Sequence, residues 1–262
     1  MSQCGPPGDE RMTCTFTGEE LTIPFARPED RFDSFDCPRP VWEHASASRC
    51  VWHADQSEKP PEKLAATVGD GELPGARARN SDLTDVRLPE GSVLVDADLH
   101  GASLREATLP GVILVGASLT ETDLVQADLS DARFRAADLT GAALSGADLT
   151  RADCAGADFT DADLRSVTLT GALLTEITLT GASLSRGTRI RSPAPRIRRD
   201  YRDELAASTV QDLIARTNHE LRMAYSDNGL TGPARRAHVR ERRARRKEAL
   251  AAADWRGTVA WV

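Results

Sequence analysis

Cys14, Cys37, Cys50 and His53 are the residues of this sequence whose types and spacing could do chemistry. Twenty-two residues separate Cys14 from Cys37, twelve separate Cys37 from Cys50, and two separate Cys50 from His53. Two ligands with two residues between them can grip one ion from a tight turn, and Cys37-Pro38 opens a turn of its own. Three thiolates and one imidazole form a closed tetrahedral zinc set. With four protein ligands no position is left for an activated water, so the expected zinc is structural. Cys4 and His44 are the reserve ligands. The bland alternative is a group of free thiols beside an incidental histidine. Residues 1–60 show no helical or strand periodicity long enough for a core, and a segment that short usually needs a staple of this kind.

Nothing else in the chain has the spacing of a catalytic motif. There is no H-E-x-x-H, no G-x-S-x-G, no Gly-rich phosphate loop and no dinucleotide fingerprint. His219-Glu220 starts like a zincin helix but lacks the second histidine. His44, His100, His219 and His238 are scattered. These absences make a non-enzymatic role the expectation.

Composition bounds what can hold such residues in place. Aromatics are 5% of the 262 residues, so any core must be built from Ala, Leu and Val. The net charge of −7 is uneven: from Arg189 onward basic residues outnumber acidic ones by 17 to 9, and the rest of the chain is strongly acidic. Arginine outnumbers lysine 30 to 3, a hint of a GC-rich, halophilic source. Five cysteines, an odd number, with no apolar leader after Met1, point away from a secreted disulfide scaffold and toward the cytoplasm. No run of eighteen apolar residues spans a membrane.

The dominant signal is a period of five. From Ala97 the chain reads A-D-L-H-G, A-S-L-R-E, A-T-L-P-G, V-I-L-V-G, A-S-L-T-E, and continues in phase to Leu184. Central positions fall every five residues from Leu94 to Leu184, nineteen in all, and all are Leu except Phe134, Cys154 and Phe159. A small or β-branched residue stands two before each centre. Leu83 and Leu88 are out of phase by one, which places a one-residue insertion within 89–92.

This pattern resembles the pentapeptide-repeat family, A-[DN]-L-x-x, over about 100 residues. The resemblance implies a mainly β fold, a right-handed quadrilateral β-helix with four pentapeptides per turn. The central Leu and the preceding Ala would point inward. Coils spaced by about 4.8 Å would make a rod on the order of 23 Å long. Residues twenty apart would then stack, giving inner columns such as Leu94-Leu114-Phe134-Cys154-Leu174. Cys154 would be a buried, inert thiol. Many aspartates directly precede a central Leu, Asp98 and Asp123 among them. They read as a solvated surface with some oxygens bonding turn amides, or, on the analogy of family members that bind topoisomerases, as a duplex-DNA mimic. The apolar interruptions at Ile113 and Ile177 argue against the mimic, and DNA gyrase is not an expected target.

After the repeat the periodicity becomes helical. Leu205, Val210, Leu213, Ile214, Thr217, Leu221 and Tyr225 share a face, Asn228-Gly229 is a stop, and Pro233 suits the first turn of a second helix. That helix carries a basic run from Arg235 to Lys247. It reads as a solvated face or one docked on the acidic solenoid, as a contact for an anionic membrane surface, or as a nucleic-acid contact, the last disfavoured by the lack of interleaved aromatics. The whole arrangement is similar to haloarchaeal pentapeptide-repeat proteins whose fuller members continue into an ion-channel-like region, which this chain does not carry.

The expected organisation is a candidate zinc module over 1–60, a linker over 61–81, the β-helix over 82–188, a basic linker over 189–199, a helical hairpin over 200–254 and a tail over 255–262. The expected function is a non-catalytic scaffold for protein–protein interaction, in the cytoplasm or at a membrane periphery, with an unknown protein partner. The alternatives are a DNA-mimic inhibitor and the regulatory portion of a membrane channel.

Overall fold

The computed structural model describes residues 71–201 and 204–259. Its first part is a four-sided coil of parallel bridges. Asp98 pairs with Ser118, Ser118 with Asp138, Asp138 with Asp158, and Asp158 with Thr178, so each coil takes twenty residues. The pentapeptide explains why. The residue before the centre forms the bridge, and the two after it turn the corner. At most corners a backbone bond links the centre to the residue three later, as from the Ala102 N–H to the Leu99 carbonyl at 3.0 Å. The third residue of the turn has positive φ, for example Gly101 at 64° and Glu121 at 57°. That combination is the signature of a type II turn.

The centres and the small residues two before them fill the interior. Leu114, Leu119, Leu124, Leu129, Phe134 and Leu139 have no exposed surface, and Ala142, Ala152 and Ala162 are equally buried. Fully burying one Leu contributes roughly 1.5–3 kcal/mol. A narrow square coil can therefore be stable with few aromatics, provided its neighbours stack.

Parts of the first and last coils were not legible as such. The stretch 61–81 reads as a linker, yet the coil is already formed at residue 72, where Glu72 bridges Val93, and Arg77 bridges Asp98. Leu73 and Ala78 are its buried centres. The Pro, Gly and Arg content that suggests a linker belongs to turn and outward positions: Pro74-Gly75 is a corner, with Gly75 at φ 65°. At the other end, β1 (Thr168–Leu169) pairs in parallel with β2 (Arg189–Ile190), so the coil runs past residue 188. Among the described residues the rod thus has six coils, beginning at Leu73, Leu94, Leu114, Phe134, Cys154 and Leu174. The bridge step is twenty-one before residue 93 and again at Thr168–Arg189. The first of these is the insertion expected within 89–92.

Three helices follow. α1 (Ala194–Asp200) lies inside what reads as a basic linker. Pro195 in its first turn presets φ, and Ile197 is fully buried. α2 (Ala207–Asp227) and α3 (Thr231–Val259) form the hairpin. Val210, Leu213, Ile214, Thr217, Leu221 and Tyr225 are buried on α2 as the periodicity requires, whereas Leu205 precedes the helix and is 36% exposed. The stop is a Schellman motif: the Leu230 N–H donates to the Tyr225 carbonyl at 2.8 Å, the Gly229 N–H to Ser226 at 2.9 Å, and Gly229 has φ 67°.

The hairpin covers the end of the rod. Leu221, Ala224, Tyr225, Ala234 and Ala237 join the solenoid core. A second cluster clamps the root of the hairpin to one side, joining Ala155 and Leu173 to Ile197, Val210, Leu213 and Ile214.

Candidate interaction surfaces

The backbone ladder leaves one amide per pentapeptide without a backbone acceptor, that of the residue just after the centre. Where Asp precedes the centre, its Oδ1 accepts that N–H. Thr140 donates to Asp138 at 2.9 Å, Thr150 to Asp148 at 2.8 Å, and Thr160 to Asp158 at 2.9 Å. The same bond recurs at Asp82, Asp98, Asp123, Asp128, Asp153 and Asp163. These carboxylates are turn components before they are surface charges. The bonds from Thr84 hold the Asp82 carboxyl below the usual carboxylate range.

Arginines on the rod pair with this acidic surface. Arg79 reaches Asp98 at 3.2 Å, Arg105 reaches Asp123 at 3.5 Å, and Arg151 reaches Asp131. One pair is different. Arg135 Nε donates to Asp153 Oδ2 at 2.9 Å with the two side chains 12% and 7% exposed. Burial works against the charge on Arg135, but Asp153 and Tyr201 beside it outweigh this and raise its pKa. Neither residue stands out in the sequence, because an Arg and an Asp eighteen apart become neighbours only through the coil step.

The end cap is also specific. Asn228 Oδ1 accepts the Leu184 N–H at 2.9 Å, and Asn228 Nδ2 donates to the Ala182 carbonyl at 2.8 Å. Within the rod those two groups bond the next coil, as Leu164 N–H bonds Ser183 and Ala162 carbonyl bonds the Ser183 N–H. The Asn228 side-chain amide stands in for the peptide of a coil that does not follow. Asn228-Gly229 reads correctly as a helix stop in sequence, but nothing local signals this second role.

Cys14, Cys37, Cys50 and His53 lie outside the described residues, as do Cys4 and His44. Among the described residues no group of three or more His, Cys, Asp or Glu could hold a metal ion. Cys154 is fully buried, and desolvation pushes its thiol pKa well up, so it resists becoming a thiolate. No described helix is long and apolar enough to cross a membrane. On α3, Arg245 bonds Asp212 and Glu248, while Arg235, Arg236, Arg240, Arg242, Arg243, Arg246 and Lys247 form no ion pair among the described residues.

Residues 92–131 and 127–165 match the sequence profile described as Pentapeptide repeats (8 copies). The chain belongs to the pentapeptide-repeat family. The solenoid is the right-handed quadrilateral β-helix that pentapeptide-repeat proteins form. Similar solved structures include a pentapeptide-repeat protein from the cyanobacterium Cyanothece 51142, at 27% identity over 44% of this chain and 91% of that one, with a TM-score of 0.33. Another, from the Arabidopsis thaliana thylakoid lumen, is 31% identical over 41% of this chain and 71% of that one, with a TM-score of 0.31. QnrB1, a plasmid-mediated fluoroquinolone resistance protein, is 22% identical over 44% of this chain and 61% of that one, with a TM-score of 0.36. No curated protein sequence matches the chain. The pentapeptide period and the coil itself, rather than these partial overlays, carry the family assignment.

Proposed function

We propose that this pentapeptide-repeat protein is a non-catalytic scaffold for protein–protein contact, with a structural zinc held by Cys14, Cys37, Cys50 and His53. The observation that supports the scaffold reading is how the rod uses its polar groups. Backbone amides bond the next coil, and where an aspartate precedes the centre it takes the turn amide as well. The open end is closed by Asn228. What is left outward is a stiff, convex surface suited to docking and unsuited to enclosing a reacting group. The zinc reading rests on the spacing of its four candidate ligands alone.

Cross-linked affinity capture from the source cells tests the scaffold. A stoichiometric partner cross-linked to coil residues supports it, and capture of no defined partner by the native chain overturns it. Metal content tests the zinc separately. One zinc per chain, lost in both Cys50→Ser and His53→Ala, is the expected result, and metal-free native protein refutes the ligand set.

A further inference from the structure

Two clefts meet where α1 leaves the rod, and they share Ser192 and Pro195. The first, of about 510 Å³, opens between the rod and α1 and is lined by Arg151, Arg191, Arg196 and Arg199. Arg196 and Arg199 share one carboxylate, Asp200, at 2.6 and 3.1 Å. Arg196 also ties α1 to the rod, donating to the Arg151 and Gly171 carbonyls at 3.1 and 3.2 Å. The second cleft, of about 490 Å³, opens between α1 and α3, and its rim is Arg198, Arg240, Arg243, Arg246 and Lys247. No carboxylate lines either cleft among the described residues.

The charge on α3 is segregated. Glu241 is bonded to His219 and Arg222, each at 3.0 Å, and Glu248 to Arg245 at 2.9 Å. The Glu241 pairs stitch α3 to α2, as does Asp212 on α2 reaching Arg245, so Glu248 joins the same seam through Arg245. The helix therefore directs its described carboxylates to the α2 side. Arg240, Arg243 and Lys247, at helical steps of three and four, line the cleft without a counter-charge among the described residues, and Leu250 follows them on the same face. Like charges at those steps repel one another. The cleft wall is apolar: Ile214 and Ala244 are buried, and Leu250 is 64% exposed.

We propose that this trough binds an acidic peptide segment of a partner protein, with carboxylates on the arginine forks and an apolar side chain against Ile214, Ala244 and Leu250. The inference rests on the scaffold reading and gives its partner a chemistry. Arginine clusters recognise acidic motifs through paired N–H bonds. The concave shape suits an inserted chain better than a membrane plane. The lining residues include no aromatic on which an unpaired base would stack.

The test uses the full chain and fluorescence anisotropy with a labelled peptide repeating Glu-Glu-Leu. A second peptide has Ser in place of Leu. Saturable binding is expected, weakened about tenfold by Arg243→Glu or Arg246→Glu. Arg242→Glu makes the same charge change outside the trough, and its affinity should stay within about twofold of native. Leu250→Ser should weaken the Leu peptide and leave the Ser peptide unchanged. Thermal melts of each variant confirm folding. Absence of saturable binding overturns the proposal, as does an equal loss in Arg242→Glu and Arg243→Glu. Binding of phosphatidylserine vesicles or a short DNA duplex in place of the peptide, lost in Arg243→Glu, also overturns it. Partner capture that is intact in Arg243→Glu refutes the trough and leaves the scaffold reading standing. Native chain that binds the peptide but captures no partner supports the trough and refutes the scaffold.

Discussion

Asn228 and Leu184 lie forty-four residues apart, and the Asn228 Oδ1 accepts the Leu184 N–H at 2.9 Å. The same side chain donates to Ala182 and to Ala224 at 2.8 Å each. One amide thereby satisfies the last rung of the rod and the last turn of α2. Asn228→Ala leaves the Leu184 N–H and the Ala182 carbonyl of the rod without partners, while the Ala224 carbonyl keeps the Asn228 backbone N–H, for an expected loss of about 1–3 kcal/mol. Asn228→Asp keeps the acceptor and should cost less than Asn228→Ala. Urea unfolding measures both, and hydrogen exchange at the Leu184 amide should accelerate. Unchanged stability in Asn228→Ala would show that the cap is incidental.

Ala136 and Gly156 occupy stacked corners with φ of 53° and 71°. A side chain in this region is strained by its own backbone. Ala136→Gly should stabilise the protein by about 0.5–1 kcal/mol, the relief exceeding the added chain entropy. Gly156→Ala should destabilise it, although the nearest atom to an added Cβ is the Ala136 nitrogen at 3.8 Å. Thermal melts in opposite directions establish that the effect is conformational rather than steric. A fall in Tm for Ala136→Gly would rule the strain out.

The period of five made most of the rod legible, because each repeat is local and its Leu centre is easily recognised. Leu73-Pro74-Gly75 was harder to read, since corner residues and linker residues share a composition. β2 was hidden by the extra residue that precedes Arg189. The face of α2 was legible from helical spacing, apart from Leu205. Contacts between elements were not. Asn228 on the last rung, Tyr201 beside Arg135, and the charge segregation of α3 depend on how coil and hairpin dock, and no short-range pattern encodes that docking.

Glu241 gives the hairpin a pH dependence with a definite sign. Partial burial alone would raise its carboxyl pKa, but hydrogen bonds from His219 and Arg222 outweigh this and hold it below the ordinary value. The folded state therefore releases this proton more readily than the unfolded state. The resulting stability is complete above the unfolded pKa, about 4.3, and is lost as pH falls through the lowered folded value. Asp82, Asp131, Asp163 and Asp200 are shifted the same way and add to the trend. Glu241→Gln should be less stable than native protein at neutral pH, and the difference should shrink at a pH well below the ordinary carboxylate value of about 4.3. Urea unfolding at both pH values decides it. A stability difference that stays constant across them would exclude Glu241 as a contributor.

Arg135 and Asp153 offer a test of what a buried ion pair does in a narrow rod. Their side chains are 12% and 7% exposed, and Asp153 Oδ1 also accepts the Ala155 N–H at 3.2 Å. Asp153→Ala strands the guanidinium beside Tyr201 and opens a turn amide, so a loss of about 3–5 kcal/mol is expected. Arg135→Met removes the cation and leaves Asp153 with its turn bond, so it should cost less. In the double variant no buried charge is unpaired, and its cost should fall below the sum of the two singles by more than about 1 kcal/mol. Chemical denaturation of the four proteins closes the cycle. If the two costs simply add, the pair is not coupled, and its burial does not stabilise the rod.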